Sequence, residues 1–304
     1  MDLDKVKRFL ESPDELVCLF EDPLLSGFSG KKIIALLQNL VKCLDPQEDI
    51  YLEVGVFRGL SLISVSKVFE GIVYGIDNFS QFDPGNNNLN LINEHLKRLG
   101  IGNAGLINCD MEAALKNLPE HTGNRKIGLF FIDGPHDYRS QLMCLMLARP
   151  YLSENAVIVI DDSNYRHVRQ ANDDFMTLFP SFKLVIERYT CAHPMNMPNE
   201  GKKEAAEGWW NGINVLVHDT FNTLPVRRIK NFEPKNLFYN DHLIHSSRYA
   251  DCAPEAITVT HVLKPFRPLK LIHRLINLYK KVKRSDPQYQ GKYRHLNTWS
   301  DDLV

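Results

Sequence analysis

Through the first two thirds of the chain, short runs of Val, Ile, Leu and Phe alternate with stretches whose apolar residues recur at helical spacing. The runs suit buried parallel strands and the stretches between them amphipathic helices. A helix over 31–44 (KKIIALLQNLVKCL) leads, past the breaker Asp45-Pro46, into a strand at 50–55 (IYLEVG). Helix 60–69, strand 71–77, helix 89–100 and strand 104–110 follow; then come a short helix from 111, a strand at 126–133, a helix over 138–152 and a strand at 155–162. A helix over 172–179 precedes two further runs, 182–190 and 212–220, which can pair as an antiparallel hairpin. Alternation of this kind makes βαβ units, so the predicted fold is α/β: a doubly wound, mostly parallel seven-stranded sheet with a C-terminal extension.

Five of these strands end in glycine or a carboxylate, at the edge where open α/β sheets bind ligands. The pattern divides the chain into an N-terminal helical segment (1–30), a sheet domain (31–220) and an extension (221–304). The excursion between the last two strands, CAHPMNMPNEGKKEAAEGWWN, is too long for a tight turn and reads as a functional loop. The extension has one strong feature, residues 261–284, with Lys264, Arg267, Lys270, Arg274, Lys280, Lys281, Lys283 and Arg284 and no acid. A helix there places Leu271, Leu275, Leu278 and Val282 on one stripe.

Thirty-six Lys and Arg against 37 Asp and Glu give a formal net charge of -1. No global field therefore draws the chain to nucleic acid, and any basic surface must be local. No apolar run nears the roughly 20 residues a bilayer span needs, and the opening MDLDKVKRFLESPDE is too polar for a signal peptide, so the expected location is cytoplasmic. Six cysteines without CxxC pairs or regular spacing read as reduced residues, with no disulfide framework or zinc cluster.

At the end of the first strand stands Glu53-Val54-Gly55-Val56-Phe57-Arg58-Gly59-Leu60-Ser61. Glycines four apart in a strand-to-helix turn let the backbone approach a ligand beside unpaired helix N–H groups. The spacing is not the three-glycine dinucleotide fingerprint, and an acid two residues before the first glycine would repel a pyrophosphate. It would attract an ammonium group, which matches S-adenosylmethionine by charge. Asp77, ending the second strand, is placed to accept hydrogens from a ribose, and Asp110, ending the third, to meet an adenine amino group. For each residue alone, the competing reading is ordinary α/β architecture.

Residues 50–220 resemble a class I S-adenosylmethionine-dependent methyltransferase with a Rossmann-like fold. The run EVGVFRGLS is similar to the first motif of the catechol and macrocin O-methyltransferase-like branch, the family 24-like methyltransferases. The resemblance implies that Glu53, Gly55, Phe57, Gly59 and Ser61 contact the methionine part, Asp77 the ribose, and that Asp110 and Asp133 complete the cofactor site. The later IDGPHDY resembles a segment found in relatives of unassigned substrate.

Two further strands deliver Asp133 and the pair Asp161-Asp162 to the same edge. Converging carboxylates repel unless a cation neutralises them or one keeps its proton, and hard oxygen ligands suit magnesium or calcium. The resemblance implies a divalent metal, Mg, on Asp133, Asp161 and Asp162, with Asn164 as a spare ligand. The competing reading makes Asp162 a helix cap and Asp161 a half-buried side chain. His136 lies three residues past Asp133, where catechol-type enzymes carry a lysine; an imidazole there is suited to take the acceptor's hydroxyl proton. Asp137 and Tyr138 read as a helix cap and a packing residue.

These readings converge on an O-methyltransferase acting on a small hydroxylated acceptor, a sugar or a natural product. Trp209, Trp210, Met195, Met197 and His193 make the excursion a lid over that acceptor; in the competing reading the tryptophans pack back on the core. Two rival functions are a metal-dependent sugar-nucleotide or glycan-modifying transferase and a non-catalytic cofactor-binding scaffold. The 261–284 stripe is expected to dock on the domain or on a second subunit of a homo-oligomer, with peripheral membrane or glycan contact as the other reading.

Overall fold

The computed structural model describes residues 3–79, 82, 83, 85, 87–123, 125–227 and 275. Along the chain run α1 (Leu3–Glu11), α2 (Lys31–Val41), β1 (Asp49–Val54), α3 (Leu60–Val68), β2 (Val73–Ile76), α4 (Asn88–Arg98) and β3 (Ala104–Ile107). Then follow α5 (Met111–Lys116), α6 (Leu118–Thr122), β4 (Lys126–Ile132), α7 (Tyr138–Ala148), β5 (Leu152–Ile160), α8 (Arg166–Leu178), β6 (Phe182–Arg188), α9 (Asn199–Glu207) and β7 (Ile213–His218). The seven strands form one sheet in the order β3-β2-β1-β4-β5-β7-β6. Strands β1 to β5 pair in parallel, while β7 runs antiparallel to both β5 and β6. The predicted seven-stranded, mostly parallel α/β sheet and its terminal hairpin are therefore present.

Because side chains alternate across a strand, a continuous apolar run feeds two cores at once. Tyr51, Leu129, Phe131, Val157 and Val159 join α2 and α3 on one face. Ile50, Leu52, Phe130, Ile132, Ile158 and Ile160 join α5, α7 and α8 on the other. Nearly all these side chains are fully buried, and each contributes about 1.5–3 kcal/mol relative to exposure. The parallel strands consequently present their C-terminal ends along one edge.

Helix α8 begins at Arg166, six residues before the predicted start. Its first turns hold His167, Arg169 and Gln170, which are polar yet buried, so the apolar period shows only from Val168 and Ala171 onward. The excursion holds a 3-10 turn at Pro194–Asn196 and then α9. Trp209 packs into the core, and Trp210 lies against it. Of the predicted 261–284 segment only Leu275 is described, and it is helical and exposed; the rest of that segment, and the extension beyond 227, lie outside the described residues. No helix among the described residues is long and apolar enough to cross a membrane.

The N-terminal segment is tied to the sheet domain by Gln38, whose fully buried amide accepts from the Leu19 and Phe20 amides and donates to the Phe20 carbonyl. Asp14 adds a second anchor. It accepts from Lys32 Nζ (2.8 Å), Arg188 Nε (2.9 Å) and Trp209 Nε1 (2.9 Å), joining α2, β6 and the end of the excursion. Burial pushes its carboxyl up, but the bonds from Lys32, Trp209 and Arg188 outweigh that and hold it at about 2. Its side chain is 45% exposed, so solvent screening leaves the cluster about 1 kcal/mol. Asp14→Ala should lower the melting temperature by about 2–4 °C and speed limited proteolysis within 190–212. Unchanged proteolysis would mean that Asp14 does not restrain the excursion.

Candidate active site

The turn after β1 is built around two left-handed glycines. Gly55 has φ +90°, and a Cβ on it would stand 1.9 Å from the Asp133 carbonyl oxygen. Only glycine lets this loop lie against the end of β4. Gly59 (φ +82°) opens α3, and Phe57 between them is also left-handed at φ +52°. Asp77 holds the loop in place: Oδ2 accepts from the Val56 and Phe57 amides, both at 2.9 Å, and Oδ1 from the Phe79 amide at 2.7 Å. An ionised carboxylate offers about four acceptor positions; three are occupied, leaving one for a ribose hydroxyl where the sequence suggested two.

Glu53 and Ser61 were expected to line the cofactor. The structure places them beneath the loop and in contact with each other. Glu53 is fully buried, accepting from Tyr51 Oη at 2.7 Å and Ser61 Oγ at 3.1 Å. Burial, with Asp77 adding repulsion, pushes its carboxyl up to about 8 against the stabilising bonds from Tyr51 and Ser61. Phe57 turns away from Glu53: its ring stacks on Phe28 at 5.0 Å and meets Phe82 edge-on at 6.3 Å. Asp110 is exposed and caps α5, accepting from the Glu112 and Ala113 amides. The cap uses Oδ1 alone, and an aspartate before MEAA is the usual signal for it. The expected cap at Asp137 is present, accepting from the Ser140 amide at 2.9 Å.

Beside the loop lie Asp133, His136, Asp161 and Asp162. His136 Nε2 is 2.8 Å from Asp162 Oδ2 and 3.7 Å from Asp133 Oδ1. Asn211 donates to the other Asp162 oxygen. Burial pushes Asp162 up, but His136, Asn211 and the nearby His193 outweigh it and hold the carboxyl below its ordinary value. Asp161 behaves oppositely: burial and then Asp162 push it well above the carboxylate range. Its Oδ1 accepts from the Asp162 amide, and its buried Oδ2 has no hydrogen-bond partner among the described residues. Burial and then Asp161 and Asp162 also push Asp133 well up. Proton retention and a neighbouring imidazole thus settle the repulsion.

The acidic set does not fit the metal expected on Asp133, Asp161 and Asp162. Among the described residues no group of three or more His, Cys, Asp or Glu could hold an ion. Asn164, the spare ligand, is spent: its Nδ2 donates to Thr190 Oγ1 at 2.7 Å and its Oδ1 accepts from the Thr190 amide at 3.1 Å. The competing reading of Asp162 as a cap of α8 also fails, since that helix starts from Tyr165 without a side-chain cap.

Three contributors escaped the sequence. Asn211 steadies Asp162, and its only trace is the Asn-Gly pair before β7. Buried Arg169 donates to the Ser163 and Asn164 carbonyls at 3.0 and 2.8 Å, fixing the turn in which Asp162 adopts φ +53°. Tyr165 stacks on His167 and His193 and tilts against His136. From the excursion, His193 meets Tyr165, and Trp210 stacks on Phe28 at 6.3 Å.

Residues 52–163, which carry the glycine loop and the acidic rim, match the family described as "Methyltransferase domain". That segment is therefore similar to a methyltransferase domain, and the sheet order is that of the class I, Rossmann-like methyltransferase fold. No curated protein sequence matches the chain. The O-methyltransferase TomG from Streptomyces achromogenes, solved with S-adenosylmethionine, aligns at 14% identity over 71% of this chain and 96% of its own, with a TM-score of 0.46. The O-methyltransferase from Bacillus cereus, solved with S-adenosylhomocysteine, aligns at 14% identity over 71% and 90%, with a TM-score of 0.45. An rRNA methylase from Streptococcus thermophilus aligns at 19% identity over 59% and 91%, with a TM-score of 0.40. The likeness rests on the sheet order and the matched segment, not on these alignments.

Glu53 gives a pH signature. A carboxyl at about 8 in the fold and near its ordinary 4.5 when unfolded makes the folded state bind more protons between those values, so stability falls as pH rises through that window. Melts between pH 5 and 8.5 should show this decline, and Glu53→Gln, which keeps a bond from Tyr51, should flatten it. A mutant curve parallel to the wild type would assign the decline elsewhere. Gly55→Ala forces a Cβ onto the Asp133 carbonyl and strains a positive φ, and should destabilise by about 2–4 kcal/mol in urea unfolding; a loss under about 1 kcal/mol would show that the loop can shift off β4.

Proposed function

We propose that this protein is an S-adenosylmethionine-dependent methyltransferase that methylates a hydroxyl of a small acceptor, with His136 receiving the proton. The observation that carries the reading is the position of His136 Nε2, held by Asp162 at 2.8 Å on the sheet edge that also bears the glycine loop. When bound, S-adenosylmethionine supplies an electrophilic methyl on a cationic sulfur, whose charge disperses during transfer. Gly55 and Gly59 let the backbone close on the cofactor, and Asp77 keeps the loop at that height. The protein's contribution is then chiefly alignment and removal of one proton.

His136 offers Nε2 to the rim. Nε2 donates to Asp162, which holds the ring in the tautomer whose Nδ1 carries the lone pair; the hydroxyl proton would go to Nδ1, giving an imidazolium paired with Asp162. Asp162 is the positioning residue, itself steadied by Asn211. For the acceptor's body the structure offers Phe28, Phe57, Phe82 and Trp210, four rings from four separate segments, with Phe28 and Phe82 exposed. Exposed aromatic clusters at a site mouth suit a ring-bearing natural product or the apolar face of a sugar. Trp210 adjoins Asn211, so this wall and the His136–Asp162 pair share one junction, and the excursion acts as a lid.

Calorimetry with S-adenosylhomocysteine should show binding that weakens at least tenfold in Asp77→Ala; unchanged affinity would remove Asp77 from the cofactor site. With an accepted substrate, His136→Ala should lower kcat by about 10²–10⁴-fold and leave cofactor affinity within twofold. Undiminished turnover would exclude His136 as the base.

A further inference from the structure

We infer that His136 stands where a divalent cation would otherwise bridge the acidic rim, so that the site works through a His136–Asp162 pair and not through a metal. The inference rests on the methyltransferase reading and concerns what neutralises its carboxylates. A magnesium ion bound to Asp133 and Asp162 would need to lie about 2.1 Å from an oxygen of each. That space is taken: Nε2 lies 2.8 Å from Asp162 Oδ2 and 3.7 Å from Asp133 Oδ1.

Several of the remaining oxygens already accept a hydrogen bond, Asp161 Oδ2 excepted. Asn211 donates to Asp162 Oδ1, the Asp162 amide to Asp161 Oδ1, and the Asn164 side chain is spent on Thr190. Magnesium demands near-octahedral oxygen coordination, and this rim cannot assemble it by small adjustments. The Asp162 turn is stitched by Arg169 to the Ser163 and Asn164 carbonyls, and by the Ser163 and Asn164 amides to the Gly212 and Asn211 carbonyls. With the backbone of that turn fixed, moving the Asp162 side chain toward a metal would give up its bonds from Asn211 and His136, each about 1 kcal/mol or more when left unmade. The rim is therefore preorganised around an imidazole, and Asp162 orients the base directly.

The test is calorimetric titration of the full chain with MgCl2 and CaCl2, with and without S-adenosylhomocysteine, in wild type and His136→Ala. Wild type should bind neither ion at millimolar concentration, and EDTA should leave methyl transfer unchanged. His136→Ala, which frees Asp133 and Asp162, should bind Mg2+ at least tenfold more tightly than wild type. Mg2+ binding by wild type with loss of transfer in EDTA would overturn the inference, as would a folded His136→Ala protein with no gain in cation affinity. The wild-type titration decides even if the variant does not fold. Failure of the methyltransferase reading is separate: it would appear as no binding of S-adenosylhomocysteine under any condition.

Discussion

Carboxylates brought together in a low-dielectric environment cannot all remain charged without partners, and that constraint organises this protein's functional edge. Parallel pairing of β1 to β5 sends Glu53, Asp77, Asp133, Asp161 and Asp162 to one side of the sheet. The topology that makes a ligand site also concentrates negative charge, and each acid is relieved differently. Asp77 accepts from three backbone amides, two of them in the loop it supports. Glu53, sealed beneath that loop, and Asp161, buried with an oxygen left unbonded, are pushed toward their protonated forms. Asp162 stays ionised because His136 and Asn211 hold it.

This division couples folding to function. The loop that must stay open for a cofactor is fixed from below by Asp77 and from the side by the Asp133 carbonyl against Gly55. The turn carrying Asp162 is fixed by Arg169, and the excursion that carries Trp210 is tied through Trp209 to Asp14 in the N-terminal segment. A small set of buried or half-buried polar groups therefore sets the geometry of the rim, while the two apolar cores supply most of the stability.

Much of the fold was legible because strand burial on both faces leaves continuous apolar runs, and helices between them keep their 3.6-residue period. The helix that began earlier than expected shows the limit: His167, Arg169 and Gln170 are buried for hydrogen bonding, not for hydrophobicity, and a hydropathy pattern cannot register that. The rim was legible for the same reason, since strand ends fix where a residue lies. What each rim residue does was less so. Asn164 reads as a free ligand until it meets Thr190, 26 residues on, and the cap that Asp110 makes on α5 is local and was passed over. The resemblance implied a metal because the three aspartates fit a known pattern; the position of the His136 ring, which changes that conclusion, is a matter of packing between β4 and β5 and leaves no mark in the sequence.

The most direct measurement is a crystal structure of the protein grown with S-adenosylhomocysteine and Mn2+, with anomalous data collected at the manganese edge. The account predicts the cofactor product over the Gly55–Gly59 turn, His136 Nε2 still bonded to Asp162, and no anomalous peak among Asp133, Asp161 and Asp162. A manganese peak on those carboxylates with His136 displaced, or cofactor density away from the glycine turn, would contradict it.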